Sequence, residues 1–131
     1  MSQAPINYDA ITPEELSGIL SQLFQPNTEA IKQATAVLKE YFKRIRALEN
    51  LLILMSTSPE QNIRQVACIY LRKTIGNLWM NLAKENQEKT KQLLLQRFVE
   101  EPVPILKKNI ADVIGSLGKI LIPNKEWNEL F

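Results

Sequence analysis

The stretch Ile63-Arg64-Gln65-Val66-Ala67-Cys68-Ile69-Tyr70-Leu71-Arg72-Lys73-Thr74-Ile75-Gly76-Asn77-Leu78-Trp79 decides the fold class. At 100° per residue, Ile63, Val66, Ala67, Tyr70, Leu71, Thr74 and Leu78 gather on one side, the period of a helix and not of a strand. The other side carries Gln65, Ile69, Arg72 and Gly76, with Trp79 toward one edge. Just upstream, Ser58, Pro59 and Gln61 form a start signal: serine caps, proline takes the first helical position, and glutamine reaches back from the third. The expected helix spans Pro59 to Trp79.

The same punctuation recurs on both sides. Thr12, Pro13 and Glu15 open a first helix burying Leu16, Ile19, Leu20, Leu23 and Phe24, expected to stop at Gln25 because Pro26 disfavours α geometry before it. A second helix follows Asn27, with Ile31, Ala34, Thr35, Leu38, Tyr41, Phe42 and Ile45 as its stripe. Neither glycine nor proline divides it from Leu48 to Met55, but the stripe changes phase near residues 43–47, where a turn is expected. Ser56 to Pro59 closes the third helix. A fifth is expected from Lys84 to Glu100 with Leu94, Leu95 and Phe98 inward. Pro102 and Pro104 then mark a gap before a sixth, Pro104 to Leu121. Its buried set is Leu106, Ile110, Val113, Ile114, Leu117 and Leu121, and its free side shows Lys108, Asp112, Gly115 and Lys119. Pro123 ends it, and Lys125 to Phe131 reads as the opening of a seventh.

At 131 residues the chain is one domain by length, and 45% hydrophobic with 23% charged residues is enough apolar material for a core. Sixteen basic against fourteen acidic residues give +2, too small an excess to favour nucleic acid as the main partner. Cys68 stands alone, so no intrachain disulfide forms and a reducing compartment is the simpler expectation. The lack of histidine excludes Ser-His and Cys-His nucleophile pairs and the commonest zinc ligand. No catalytic residue, cofactor or metal is assigned. Met1 to Ile11 has neither a basic start nor an apolar run, and is expected to be a flexible N-terminal segment rather than a secretory signal. No apolar run approaches about 18 residues, so a membrane span is not expected and the protein is expected to be soluble and intracellular.

Helices in three pairs, each second member opening just after a proline, suggest repetition of one helix-turn-helix unit. Ile31-Lys32-Gln33, Ile63-Arg64-Gln65 and Leu106-Lys107-Lys108 superpose as branched apolar, cation, polar, at intervals of 32 and 43 residues. If the pairs stack, the second helices lie side by side and their free sides line a concave surface, where repeat proteins bind partners. The second helix contributes Gln33, Ala36, Glu40 and Lys43. Glycine inside a helix costs about 1 kcal/mol relative to alanine. Gly76 and Gly115 therefore mark either close approach of another backbone or tight packing of neighbouring helices.

The run from Ile63 to Trp79, read as a branched residue with Arg-Gln, then Ala-x-x-x-Leu-basic-Lys and a closing Trp, resembles the signature helix of the importin-β N-terminal domain. Leu38-Lys39-Glu40 and Ile122-Pro123-Asn124-Lys125-Glu126-Trp127-Asn128-Glu129-Leu130 also resemble that family, over Thr12 to Phe131. Pro26-Asn27-Thr28-Glu29 and Ile63 to Ala67 are most similar to its branch that carries ribosomal proteins and histones. The resemblance implies an all-α, right-handed α-solenoid of about three HEAT repeats, cut at the start of a fourth, from a much longer superhelix. It implies a nuclear transport receptor, shuttling between cytoplasm and nucleus through the nuclear pore, whose first repeats grip the GTP-bound form of the GTPase Ran. Protein cargo and nucleoporins would bind later repeats; no membrane and no direct nucleic acid are expected. Arg72 matches a basic position that faces Ran in the family. Gln65, Ile69, Gly76, Lys108, Asp112, Gly115 and Lys119 join it by geometry alone.

Bland readings compete with sharper ones. The family places a cation at Arg64 to bridge neighbouring repeats, and Lys32 and Lys107 are expected to do the same. Trp79 is expected to cover the core edge, Cys68 to fill space. The stretch Lys84 to Lys89 reads as a solvated helix start, and Glu100-Glu101 as solvent-exposed loop carboxylates. Rival functions are a generic HEAT or armadillo scaffold, a nucleic-acid binder using Lys43, Arg72, Lys108 and Lys119 as a basic stripe, and, last, an enzyme.

Overall fold

The computed structural model describes residues 7–121. Among them are helices α1 (Pro13–Gln22), α2 (Thr28–Tyr41), α3 (Ile45–Thr57), α4 (Gln61–Leu78), α5 (Lys84–Glu100) and α6 (Pro104–Leu121), and no strand. The protein is an all-α helical-repeat solenoid. The expected seventh helix at Lys125 to Phe131 lies outside the described residues.

Local chemistry sets most boundaries. Thr12 Oγ1 accepts from the Glu15 amide at 3.1 Å, which caps α1 as expected, and the Thr12 hydroxyl rather than its backbone amide donates to Glu15 Oε1 at 3.2 Å. Asn27 Oδ1 accepts from the amides of Glu29 and Ala30 at 3.0 and 3.2 Å, which starts α2. The turn without glycine or proline comes at Phe42 to Arg44, with the Arg44 amide bonded to the Tyr41 carbonyl at 3.0 Å. α5 and α6 span their expected residues.

Three expectations need correction. α1 stops at Gln22, not Gln25, and Phe24 is 50% exposed, because bonds from the Leu23, Phe24 and Gln25 amides to carbonyls three residues back replace the α ladder. α4 starts at Gln61, not Pro59: Ser58 Oγ accepts from the Glu60 amide at 3.2 Å in a turn, and Glu60 precedes the helix without a side-chain cap. α4 ends at Leu78, and Trp79–Asn81 tightens into a 3₁₀ turn.

The core runs along α4. Ile63, Ala67, Leu71, Thr74 and Leu78 are buried as expected, but so are Cys68, Ile75 and Trp79, so the buried arc is wider than one stripe. The reason is that α4 packs along its pair partner α3 and equally along α6, with α1 touching it as well. Arg64 meets Glu101 near the start of α4 and α6, and Gly76 meets Ile120 near their ends, so the two helices run side by side in the same direction. α2 reaches α4 through rings: Phe42 and Tyr70 have centroids 4.6 Å apart. Residues 8–11 are held against the first two helix pairs, with Ile11 buried, the Tyr8 and Tyr41 rings stacked at 6.4 Å, and Asn50 Nδ2 of α3 donating to the Ile11 carbonyl at 2.8 Å.

Candidate protein-binding face

The side of α4 that faces neither α3 nor α6 meets the free side of α6 across a groove of about 330 Å³, lined by Ile69, Arg72, Lys73, Asn109, Asp112 and Ser116 over a floor at Cys68. The parallel run of the two helices brings these residues together, since positions four apart on α4 fall opposite positions four apart on α6. Of the residues named from the sequence, Ile69, Arg72 and Asp112 share this groove. Ile69 is 43% exposed, an apolar side chain kept at the surface. Arg72 is exposed and makes no ion pair among the described residues.

The remaining candidates spread outward. Lys108 and Lys119 are exposed on α6, before and after the groove, and Gln65 is half-buried in the early part of α4. The two glycines part company. A Cβ on Gly115 would meet nothing within 4 Å, whereas one on Gly76 would come 2.8 Å from Ile120 Cδ1. Gly115 therefore lies on open surface, and Gly76 belongs to the α4–α6 packing seam.

Lys73, Asn109 and Ser116 escaped the sequence reading. Lys73 follows Arg72 directly and stands with Nζ 5.7 Å from the Tyr70 ring centroid. Asn109 and Ser116 flank the α6 stripe at positions that become groove walls only once α4 is beside them. Asn109 Nδ2 is buried with no acceptor.

Below the groove, burial separates structural groups from surface ones. Arg64 Nη1 pairs with Glu101 Oε1 at 2.8 Å, and Arg97 Nη2 approaches the same oxygen at 3.7 Å. The Val103 amide donates to Glu101 Oε2 at 3.1 Å. Arg64 thus bridges the second and third helix pairs as expected. Glu101 contradicts its expected exposure: it is 5% exposed, because two guanidiniums and an amide compensate its charge. Lys107 reaches across its own pair instead, with Nζ 4.9 Å from the Phe98 ring centroid.

Burial, with Glu101 nearby, pushes the Cys68 thiol up to about 12, so it fills space and is not a nucleophile at neutral pH. Trp79 is fully buried. In the helix start at 84–89, Lys89 pairs with Glu85 at 3.2 Å as expected of a solvated face, but Gln87 turns inward and donates to the Trp79 and Leu82 carbonyls at 3.0 and 3.2 Å. Among the described residues no group of three or more His, Cys, Asp or Glu is placed to hold a metal, and no helix is long and apolar enough to cross a membrane.

The importin-beta N-terminal domain family model matches residues 34–100, from the middle of α2 through α5. This chain belongs to the importin-β family. It is 32% identical over 123 residues to the probable importin subunit beta-4 of Schizosaccharomyces pombe, covering 93% of this chain and 12% of that protein. It is 32% identical over 105 residues to importin-4 of Mus musculus, covering 80% of this chain and 10% of that protein. Importin-4 of Homo sapiens is 28% identical over 102 residues, 78% of this chain and 9% of the relative. The chain therefore spans about a tenth of the length of these relatives. No solved structure gives a significant match.

Proposed function

We propose that this importin-β family chain is the Ran-GTP-binding N-terminal part of a nuclear import receptor, which carries protein cargo through nuclear pores and releases it when Ran-GTP binds. Cargo and nucleoporins would engage repeats beyond the residues present here. In this reading the protein shuttles between cytoplasm and nucleus and catalyses no reaction of its own. Ran-GTP and cargo would be linked by mutual exclusion: each binds a superhelix shape that disfavours the other, and the coupling is reciprocal.

The observation that supports the reading is the state of Arg72. It stands exposed beside the exposed Ile69, at the rim of a groove between two second helices, with no carboxylate partner among the described residues. A cation left free beside an apolar side chain, on a rigid helix pair, suits a protein interface.

The test is capture of Ran loaded with GTP or GDP by the chain. The expected outcome is GTP-dependent binding, weakened about tenfold or more by Arg72→Glu through charge reversal at the interface, with the circular dichroism spectrum unchanged. Equal capture of both nucleotide states would favour a generic scaffold; unchanged affinity in the variant would remove this face.

A further inference from the structure

α2 is the least embedded of the second helices. It lies along α1, while neither α3 nor α4 packs along it, and its buried residues are Ala34, Leu38 and Tyr41. The chain at residues 8–11 fixes the C-terminal end of α2 through three anchors. The Tyr8 ring stacks on the Tyr41 ring with centroids 6.4 Å apart. Arg44, in the turn between α2 and α3, holds its guanidinium carbon 4.8 Å from the centre of the Tyr8 ring and Nη1 3.6 Å from Asp9 Oδ1. Asn50 of α3 directs Nδ2 to the Ile11 carbonyl at 2.8 Å and to the Tyr41 hydroxyl at 2.6 Å, which uses both hydrogens of its amide. Ile11, Tyr41 and Asn50 are buried, whereas Tyr8 is half-buried and Asp9 and Arg44 are exposed. The inner anchor is therefore firm, and the outer one rests on an exposed cation over a ring and an exposed ion pair, both weak in water.

We propose that residues 8–11 are a latch on the first helix pair. Closed, the latch sets the angle of α2 to α4; with Tyr8 lifted off Tyr41 and Arg44, α2 swings about the turn at Phe42 to Arg44. A hinge needs only a few residues at an element's end that absorb the change in backbone angles, and these need not be small. An element with few buried apolar contacts is the one free to move. With Tyr8 gone, α1 and the Phe42–Tyr70 ring pair are what still restrain α2. α4, flanked by α3 and α6, keeps its place. Gln33, Ala36, Glu40 and Lys43 are exposed on α2, and their side continues the inner side of α4 only while the latch is shut. A partner that spans both helices thus meets a preformed surface in one state and a broken one in the other.

Distances between spin labels, measured by pulsed dipolar spectroscopy on the 131-residue chain, test the latch. One pair of labels, on Lys39→Cys and Asn77→Cys, spans α2 and α4; a control pair, on Asn77→Cys and Lys108→Cys, spans α4 and α6, and the buried Cys68 stays unlabelled. With Tyr8 intact both distributions should be narrow. Tyr8→Ala is expected to broaden the α2–α4 distribution about twofold and to leave the α4–α6 one unchanged, with helix content held by circular dichroism. Tyr8→Phe keeps the ring and should restore the narrow distribution. Should Tyr8→Ala lose helix content, Arg44→Ala, which removes only the exposed clasp, takes its place with the same expected pattern. An unchanged α2–α4 width in the variant, a width already as broad with Tyr8 intact, or equal broadening of both pairs overturns the latch.

Discussion

The chain has two seams between helix pairs, and they are built differently. Where the second pair meets the third, α4 lies along α6 over its length, sealed by apolar side chains and locked at one end by the buried Arg64–Glu101 pair. Where the first pair meets the second, α1 packs on α3 and α4, and the join is largely aromatic, with Arg44 at its edge 3.6 Å from Asp9 and 4.8 Å from the Tyr8 ring centroid. Tyr8, Tyr41, Phe42 and Tyr70 form a chain of rings, and Asn50 Nδ2 donates to both the Ile11 carbonyl and the Tyr41 hydroxyl, at 2.8 and 2.6 Å. The candidate face sits on the first kind of seam. Two long parallel helices hold Arg72 and Asp112 in fixed register, which a join through rings at the end of α2 cannot do.

The largest effect should come from opening the long seam. Leu117 is fully buried in the α6 stripe. Leu117→Ala should cost about 3 kcal/mol through lost burial and the cavity left behind, read as a lower urea midpoint. Because stability of repeat arrays is close to a sum of neighbour terms, the loss should spread into α4 and disturb the groove. A loss under about 1 kcal/mol would mean that α6 contributes little to the body of the fold.

Next comes the ionic lock. Glu101→Gln removes the charge that compensates Arg64 and Arg97 and should destabilise by about 3 kcal/mol, while Glu100→Gln, next door but exposed, should change stability by less than about 0.5 kcal/mol. Equal effects would mean that Glu101 is solvated. The aromatic seam should respond less: Tyr41→Phe deletes the hydroxyl that accepts from Asn50 and should cost about 1 kcal/mol, since Asn50 keeps its bond to Ile11.

The same contrast explains what the sequence could and could not disclose. Helix existence was legible because it is local: the Thr12 cap, Pro26 between α1 and α2, and Pro102 before α6 act within a few residues. The one-sided stripe on α6 also came through, every member being buried. What failed depended on neighbours. Cys68 and Ile75 lie off the α4 stripe and are buried in a helix packed along both α3 and α6. Glu101, beside Glu100 and before a proline, carries every local mark of an exposed loop; its partner Arg64 is 37 residues away. The site shows the same division. Arg72, Ile69 and Asp112 were readable as free sides of helices, whereas Lys73, Asn109 and Ser116 became groove walls only when two helices met.

Gly76 and Gly115 offer the smallest effect and the finest probe of the long seam. Both lie inside helices, so alanine should help each by up to about 1 kcal/mol through backbone entropy in the unfolded chain. Space then separates them. At Gly115 the new methyl meets open surface, and Gly115→Ala should raise stability by about 0.5 to 1 kcal/mol. At Gly76 it would come 2.8 Å from Ile120 Cδ1, closer than carbon atoms tolerate, so that side chain must move. Because the obstructing atom is the tip of a flexible side chain, the shift should cancel most of the gain without breaking the helices apart, leaving Gly76→Ala near neutral. The difference between the two midpoints therefore measures how firmly Ile120 is held against α4. Equal gains at both positions would show a seam loose enough to breathe, and with it a groove whose two walls do not keep a fixed distance.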